Sequence, residues 1–256
     1  MTARFDPDWL VPDWSAPGIG AVMTTRAGGV SAAPFDSLNL RDGVGDDPRA
    51  VAENQRRLRE AIGGAPVWLK QVHGAAVVSL TSTSARSGAV VHSADASVTI
   101  EPGIVCAVQV ADCLPVLFAA PGARGVAAAH AGWRGLAGGV LEASIAALCA
   151  AARCEPGELQ AWLGACIGPR RFEVGPDVLE AFGAEPRGES QAFMPARPGK
   201  WHANLPLLAR ERLRAAGVRS ISGGEWCTVE ARSRFFSFRR DGVTGRMAAA
   251  VWIERS

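Results

Sequence analysis

Residues 103–132 read GIVCAVQVADCLPVLFAAPGARGVAAAHAG. Three apolar runs follow one another directly here, at 103–113, 114–120 and 124–132. Each is short, apolar almost continuously and bounded by turn residues, which predicts strands covered on both faces. Consecutive strands without intervening helices argue against the strict βαβ alternation of a doubly wound sheet and for packed mixed sheets. Outward from this stretch the same pattern recurs in GIGAVMTTR (18–26), PVWLKQVHG (66–74), ASVTI (96–100), LQAWLGACIG (159–168) and RMAAAVWI (246–253). Between the runs the signals are helical. A helix is predicted from Pro48 to Ile62, with Asp47 as N-cap, Pro48 in the first turn and Gly63 after the end. A second spans 138–153, with Leu141, Ile145 and Leu148 on one stripe, and stops before Pro156. A short third lies at 176–182, and a fourth at 205–216 between Asn204 and Gly217. The fold class is α/β in the α+β sense: mixed β-sheets packed together and flanked by helices. No internal repeat or low-complexity tract divides the chain, so 1–256 reads as one domain.

Composition narrows the function. With 48% hydrophobic and 20% charged residues, the 256-residue chain has the profile of a protein with a sizeable core. Its 27 basic and 25 acidic side chains leave +2, which implies neither a nucleic-acid partner nor an anionic membrane surface, so any anion site must be local. No window approaches the roughly 20 apolar residues of a membrane span. The opening MTARFDPDWLVPDW holds acidic residues and two prolines and cannot be a secretory h-region, which makes the cytoplasm the expected address. The six cysteines are then expected to be free thiols. There is no CxxC, which argues against a closed four-cysteine zinc site; G-x-G-x-x-G after the first strand and a P-loop are absent as well. Only four histidines occur, at 73, 92, 130 and 202, too few imidazoles for a blue-copper centre plus a trinuclear cluster.

Three β-rich runs end in a metal-capable or nucleophilic side chain: His73, Cys113 and His130. Two imidazoles and a thiolate suit zinc and leave a fourth position open, as catalytic zinc requires. The competing reading of each histidine is a hydrogen-bonded structural residue. Cys113, beside Asp112 and ahead of Pro115, could equally pair with His130 as nucleophile and base, or be a small core residue. Cys106, Cys149 and Cys166 lie in apolar runs and read as core, as do Trp68, Trp162 and Trp252. His92 and His202 have no apparent partner. In HAGWRGLAGGVLEAS (130–144) four glycines surround Trp133 and Arg134 ahead of a helix. Their amides and the helix start favour an anion, to which Arg134 adds a planar charge. The alternative is a tight turn whose glycines only solve a backbone problem.

Taken together, TTRAGGVS, NLRDGVGDDP, WLKQVHG, ADCLPVLF, AHAGWRGL, WLGACIGPRRFEVG, CTVE, FFSFRRDG and TGRMAA resemble the laccase-domain or multicopper polyphenol oxidase family, also described as purine nucleoside phosphorylases. The resemblance covers about residues 20–253. It implies a metal site on His73, Cys113 and His130, with zinc as the usual occupant and copper in older descriptions. It implies two packed sheets between helices, similar to toxin-type cysteine hydrolase folds that use a Cys–His pair. The implied activities are phosphorolysis of adenosine, inosine, guanosine and methylthioadenosine, and adenosine deamination; family descriptions also include editing of peptidoglycan precursors. Arg26, Arg41, Gln71 and Phe172 fall in motifs associated with the substrate cleft. Asn204 departs from the family, where many relatives carry Asp.

The implied partners are a nucleoside and phosphate, with a monomer as the expected state. Arg134, with Arg41 as a second clamp, would hold phosphate for phosphorolysis, and Asp112 or Asp95 would shuttle a proton in deamination. The rivals are a Cys113–His130 amidase, a copper polyphenol oxidase, for which histidines are short, and a non-catalytic metal-binding protein, which open zinc coordination argues against.

Overall fold

The stretch 103–131 folds as three successive strands at the centre of the molecule, as its apolar pattern predicts. In chain order the strands are β1 (Ile19–Met23), β2 (Pro66–Val67), β3 (Val77–Ser79), β4 (Ala96–Thr99), β5 (Val105–Val110), β6 (Leu114–Ala119), β7 (Val126–Ala131), β8 (Gln160–Leu163), β9 (Glu173–Val174), β10 (Phe193–Pro195), β11 (Trp201–Ala203), β12 (Ser220–Gly223) and β13 (Met247–Ile253). The helices are α1 (Pro48–Ile62), α2 (Trp133–Ala137), α3 (Val140–Ala152), α4 (Pro176–Ala181), α5 (Leu205–Ala215) and α6 (Phe238–Asp241). This computed structural model describes residues 5–84, 92–185 and 190–255; the first four residues of the N-terminal stretch read above lie outside them.

A four-stranded sheet runs β1-β13-β5-β2 and a six-stranded sheet β12-β8-β6-β7-β4-β3. Both are mixed: β2–β5, β12–β8 and β3–β4 are parallel, and the other pairs within these two sheets are antiparallel. Leu117, Val126, Ala128 and Trp162 of the larger sheet pack against Cys106, Val108, Ala249 and Val251 of the smaller. α1 covers the outer face of the smaller sheet through Leu58 and Ile62. α3 and α5 cover the outer face of the larger through Leu141, Ile145, Leu148, Leu208 and Leu213. The result is four layers, helix, sheet, sheet, helix. It explains why β5, β6, β7 and β13 are buried at every position and read as unbroken apolar runs.

Beyond the two packed sheets the resemblance implies, the chain forms a third, antiparallel sheet, β10-β11-β9. Its strands are two or three residues long, too short to leave a periodic signal in the sequence. The predicted helix at 138–153 begins instead at Val140, because Gly139 adopts a left-handed conformation (φ 90°) that separates it from the five-residue α2. The run 66–74 pairs only through Pro66 and Val67, and the rest is loop. α1 matches its prediction at both ends, with the Asp47 carboxylate accepting from the Arg49 amide. Asn204 caps α5 by accepting from the Leu207 amide, a role a neutral side chain fills. Trp162 and Trp252 are core, whereas Trp68 and Cys149 are only half-buried; all six cysteines are free.

Candidate metal centre and its pocket

Strand register assembles the centre. In the antiparallel β6–β7 pair, Leu114 faces Ala131 and Pro115 faces His130, so the same register carried one step further sets Cys113 opposite Gly132. In the β4–β7 pair Ala96 faces Ala129, which sets Asp95 beside His130; the His130 amide donates to the Asp95 carbonyl at 2.7 Å. His130 is thus the last but one residue of β7 rather than a residue beyond the strand end. His73 arrives from the loop after β2 in a left-handed conformation (φ 61°).

Asp95, fully buried, organises both imidazoles. One carboxylate oxygen accepts from His130 Nδ1 at 2.8 Å and from the His73 amide at 2.9 Å; the other accepts from the Gly74 amide at 2.7 Å and the Val72 amide at 3.2 Å. Burial opposes ionisation of this carboxyl, but His130 and the Gly74 and Val72 amides hold it below its ordinary value. An ionised Asp95 accepts the hydrogen bond from the Nδ1–H of His130 and leaves Nε2 free for a metal, the carboxylate–histidine arrangement typical of metal sites.

Among the described residues, His73, Cys113 and His130 form a group whose ligand atoms all lie within 4.8 Å of one another. Cys113 Sγ and His73 Nε2 are 3.8 Å apart. Zinc bonds of 2.3 Å to sulfur and 2.0–2.1 Å to nitrogen at a tetrahedral angle would separate the donors by about 3.6 Å, so the spacing fits. Burial pushes the Cys113 thiol up, but His130 and His73 outweigh it and bring it down to about 6. A donor that is readily a thiolate is what the metal requires. His130 is affected in the opposite sense: burial disfavours its charge, while Asp95 and Cys113 raise it to about 9.

The glycines beside the centre do packing work. A Cβ on Gly132 would come within 2.9 Å of Cys113 Sγ and 3.0 Å of the His73 ring, and one on Gly135 within 2.8 Å of the Gly74 carbonyl. At both positions the turn reads as close approach of backbone to backbone and of backbone to ligand side chain.

The trio faces a pocket of about 520 Å³, large enough for a nucleoside. Of the residues singled out in the sequence, Arg41, Gln71, Asp112, Arg134 and Phe172 line it. Gln71 is pinned by two hydrogen bonds to the backbone of Gln109. Arg134 is exposed, with its guanidinium 4.4 Å from the Trp133 ring centroid. Asp112 accepts from the Thr228 hydroxyl and the Arg239 amide, each at 2.6 Å. Arg26 does not join them. Its guanidinium donates to the Asp36 carbonyl and carboxylate and to the Arg232 carbonyl, and stacks on Phe236, so it ties loops together outside the lining. His92 and His202 also lie outside it. Arg239 and Arg246 do line it. Their only signals in the sequence were the motifs FFSFRRDG and TGRMAA, and the fold alone carries them to this wall.

Residues 20–254 match the family model described as multi-copper polyphenol oxidoreductase laccase. A purine nucleoside phosphorylase of Pseudomonas aeruginosa is 51% identical over 249 residues, covering 96% of this chain and 98% of its own. Purine nucleoside phosphorylase YfiH of Escherichia coli is 49% identical over 247 residues, covering 95% and 98%. Among solved structures, a Neisseria meningitidis protein superposes with a TM-score of 0.89 at 44% identity, covering 97% of this chain and 100% of that one. YlmD from Geobacillus stearothermophilus superposes at 0.90 with 34% identity, covering 98% of each. The donor trio therefore sits in a chain that belongs, over nearly its whole length, to the multicopper polyphenol oxidoreductase laccase family.

Proposed function

We propose that this protein is a zinc-dependent purine nucleoside phosphorylase acting in the cytoplasm on adenosine, inosine, guanosine and methylthioadenosine, with adenosine deamination at the same centre. One observation carries the reading: the His73–Cys113–His130 donor set and several arginines converge on one nucleoside-sized pocket. The names of the relatives support the same class of reaction. Two nitrogens and a thiolate suit zinc, and copper also accepts such a set. When bound, the metal supplies a Lewis acid that polarises an oxygen at the reacting centre.

In phosphorolysis the bond from C1′ to the purine nitrogen breaks, a phosphate oxygen bonds C1′, and the purine leaves with a proton. The chain's residues divide these tasks. Asp95 keeps His130 in one tautomer and fixes the loop that carries His73. Phe172 offers an apolar face for the base. Asp112 is the only carboxylate lining the pocket among the described residues, and we assign it the proton the purine needs, with Thr228 Oγ1 holding it in place. Arg134, at the exposed edge, attracts the anion. Replacing it, Arg134→Ala, is expected to slow phosphate-dependent cleavage roughly a hundredfold; initial rates at fixed phosphate check this, and an unchanged rate removes Arg134 from the site.

The deciding experiment incubates metal-analysed protein with adenosine, with and without phosphate, and separates the products. Adenine and ribose 1-phosphate formed only with phosphate support phosphorolysis; inosine alone supports deamination, and no turnover defeats both. A second reading draws on the Cys113, His130 and Asp95 chain of contacts, which also suits a Cys–His amidase acting on a peptidoglycan precursor. Acyl-enzyme formation in the presence of chelator, blocked by thiol alkylation, would favour it.

A further inference from the structure

In the same pocket as Cys113, two cations lie near enough to influence each other. Asn39, fully buried, accepts through Oδ1 from the Arg41 amide at 3.1 Å and from the Arg246 amide at 2.9 Å. Its Nδ2 donates to the Arg41 carbonyl and to the Asp46 carboxylate, so its orientation is fixed. The Leu40 amide completes the clasp by donating to the Arg246 carbonyl. Gly245 makes room for it: a Cβ there would sit 2.9 Å from Asn39 Cβ and 2.8 Å from the Phe236 ring. Two segments about 200 residues apart in the chain are thereby locked together so that both arginines line the pocket.

Like charges brought together in a half-buried place repel, and here no described carboxylate forms an ion pair with either one. Arg246 is below its ordinary value, through burial first and Arg41 second; Asp112 and Cys113 pull the other way more weakly. One guanidinium nitrogen of Arg246, Nη1, is anchored by the Thr244 and Gly245 carbonyls, which leaves Nε and Nη2 without a partner among the described residues. The Arg41 guanidinium likewise makes no hydrogen bond to a described residue. A rigid, partly desolvated pair of forks with unfilled donors matches a tetrahedral oxyanion, which two arginines can bind bidentately.

We infer that Arg41 and Arg246, set by Asn39, form the phosphoryl-binding subsite of this pocket, taking either inorganic phosphate or the phosphate of a nucleotide. The inference deepens the phosphorylase reading and rests on it for the role of the anion, but the subsite can be tested without turnover. It keeps Arg41, the second clamp of the sequence reading, and adds Arg246 in place of the glycine-rich turn, where the glycines serve close packing and α2 is only five residues long.

The test measures binding of inorganic phosphate, adenosine and AMP to the full-length, metal-loaded protein by calorimetry, for the wild type and for Arg41→Gln, Arg246→Gln and Arg246→Lys. Arg41 lies in a half-exposed loop, so Arg41→Gln keeps the test alive if Arg246→Gln does not fold. Each Gln variant is expected to lose tenfold or more in phosphate affinity, with Arg246→Lys in between. In turnover, KM for phosphate should rise by the same factor while kcat at saturating phosphate changes far less. AMP binding tighter than adenosine, with that gain lost in the Gln variants, assigns the subsite to a nucleotide phosphate. Free phosphate binding with AMP no tighter than adenosine assigns it to the ion. Wild-type affinity for both phosphate and AMP in the Gln variants overturns the subsite, even if phosphorolysis proceeds. Phosphate binding lost in the variants, with no purine release by the wild type, upholds the subsite and defeats the phosphorylase reading.

Discussion

Asp95 illustrates how much of the centre depends on a side chain that touches no metal. Its carboxylate holds one imidazole by the ring and the other by its backbone, so a change there disturbs two ligands at once. Asp95→Asn keeps the shape but puts an NH2 in place of one of the two oxygens that between them accept from three amides and a ring N–H. Metal affinity is expected to fall about 10- to 100-fold with the far-ultraviolet spectrum unchanged; competition with a chromophoric chelator measures it, and wild-type affinity would show that His130 and His73 are placed without Asp95. The residue stands in the sequence as an ordinary Asp between His92 and ASVTI. Its neighbour in function, His130, is 35 positions away, and no periodicity joins them. The trio itself was legible because His73, Cys113 and His130 each lie at or near the edge of an apolar run. Arg26 was not placed correctly, since its motif adjoins the cleft in sequence while its guanidinium is spent on Asp36 and Arg232.

At the level of the strand–turn–helix unit β7–Gly132–α2, the question is what the glycines do. Gly132 has φ −61°, which any residue can adopt, so its conformation does not demand glycine; space does. Gly132→Ala would press a methyl group against Cys113 Sγ and His73 at 2.9–3.0 Å. The variant is expected to fold, to lose about 1–3 kcal/mol of stability in the metal-free state, and to bind zinc more weakly; denaturant unfolding and metal titration check the two parts. If zinc affinity stays at the wild-type level, the turn is not a wall of the site. Helix ends were readable where a cap residue and a glycine bracket a regular stripe, as in α1. The start of α3 was not, because four glycines around 132–139 each permit a break and only packing chooses Gly139. The loop 68–74 misled for a related reason: its apolar residues resemble a strand, but Asp95 captures three of its amides and leaves none of these to pair with a strand.

Across the whole molecule, stability resides in the layers and the chemistry at their edge. Trp162, 1% exposed, fills the space between the two larger sheets. Trp162→Ala is expected to cost about 3–5 kcal/mol, read from denaturant midpoints, and to reduce activity through lowered stability with the metal stoichiometry intact; a cost under 1 kcal/mol would mean that the sheets close over the gap. Apolar runs with both faces covered and helix caps are written into neighbouring residues, so the mixed-sheet class, α1 and α5 could be read directly from the chain. The third sheet, the Asp95 hub and the alliance of Arg41 with Arg246 could not. Each of these depends on register between strands or on a buried amide joining distant segments, and such pairings are selected by the free energy of the closed core, which no local stretch of residues records.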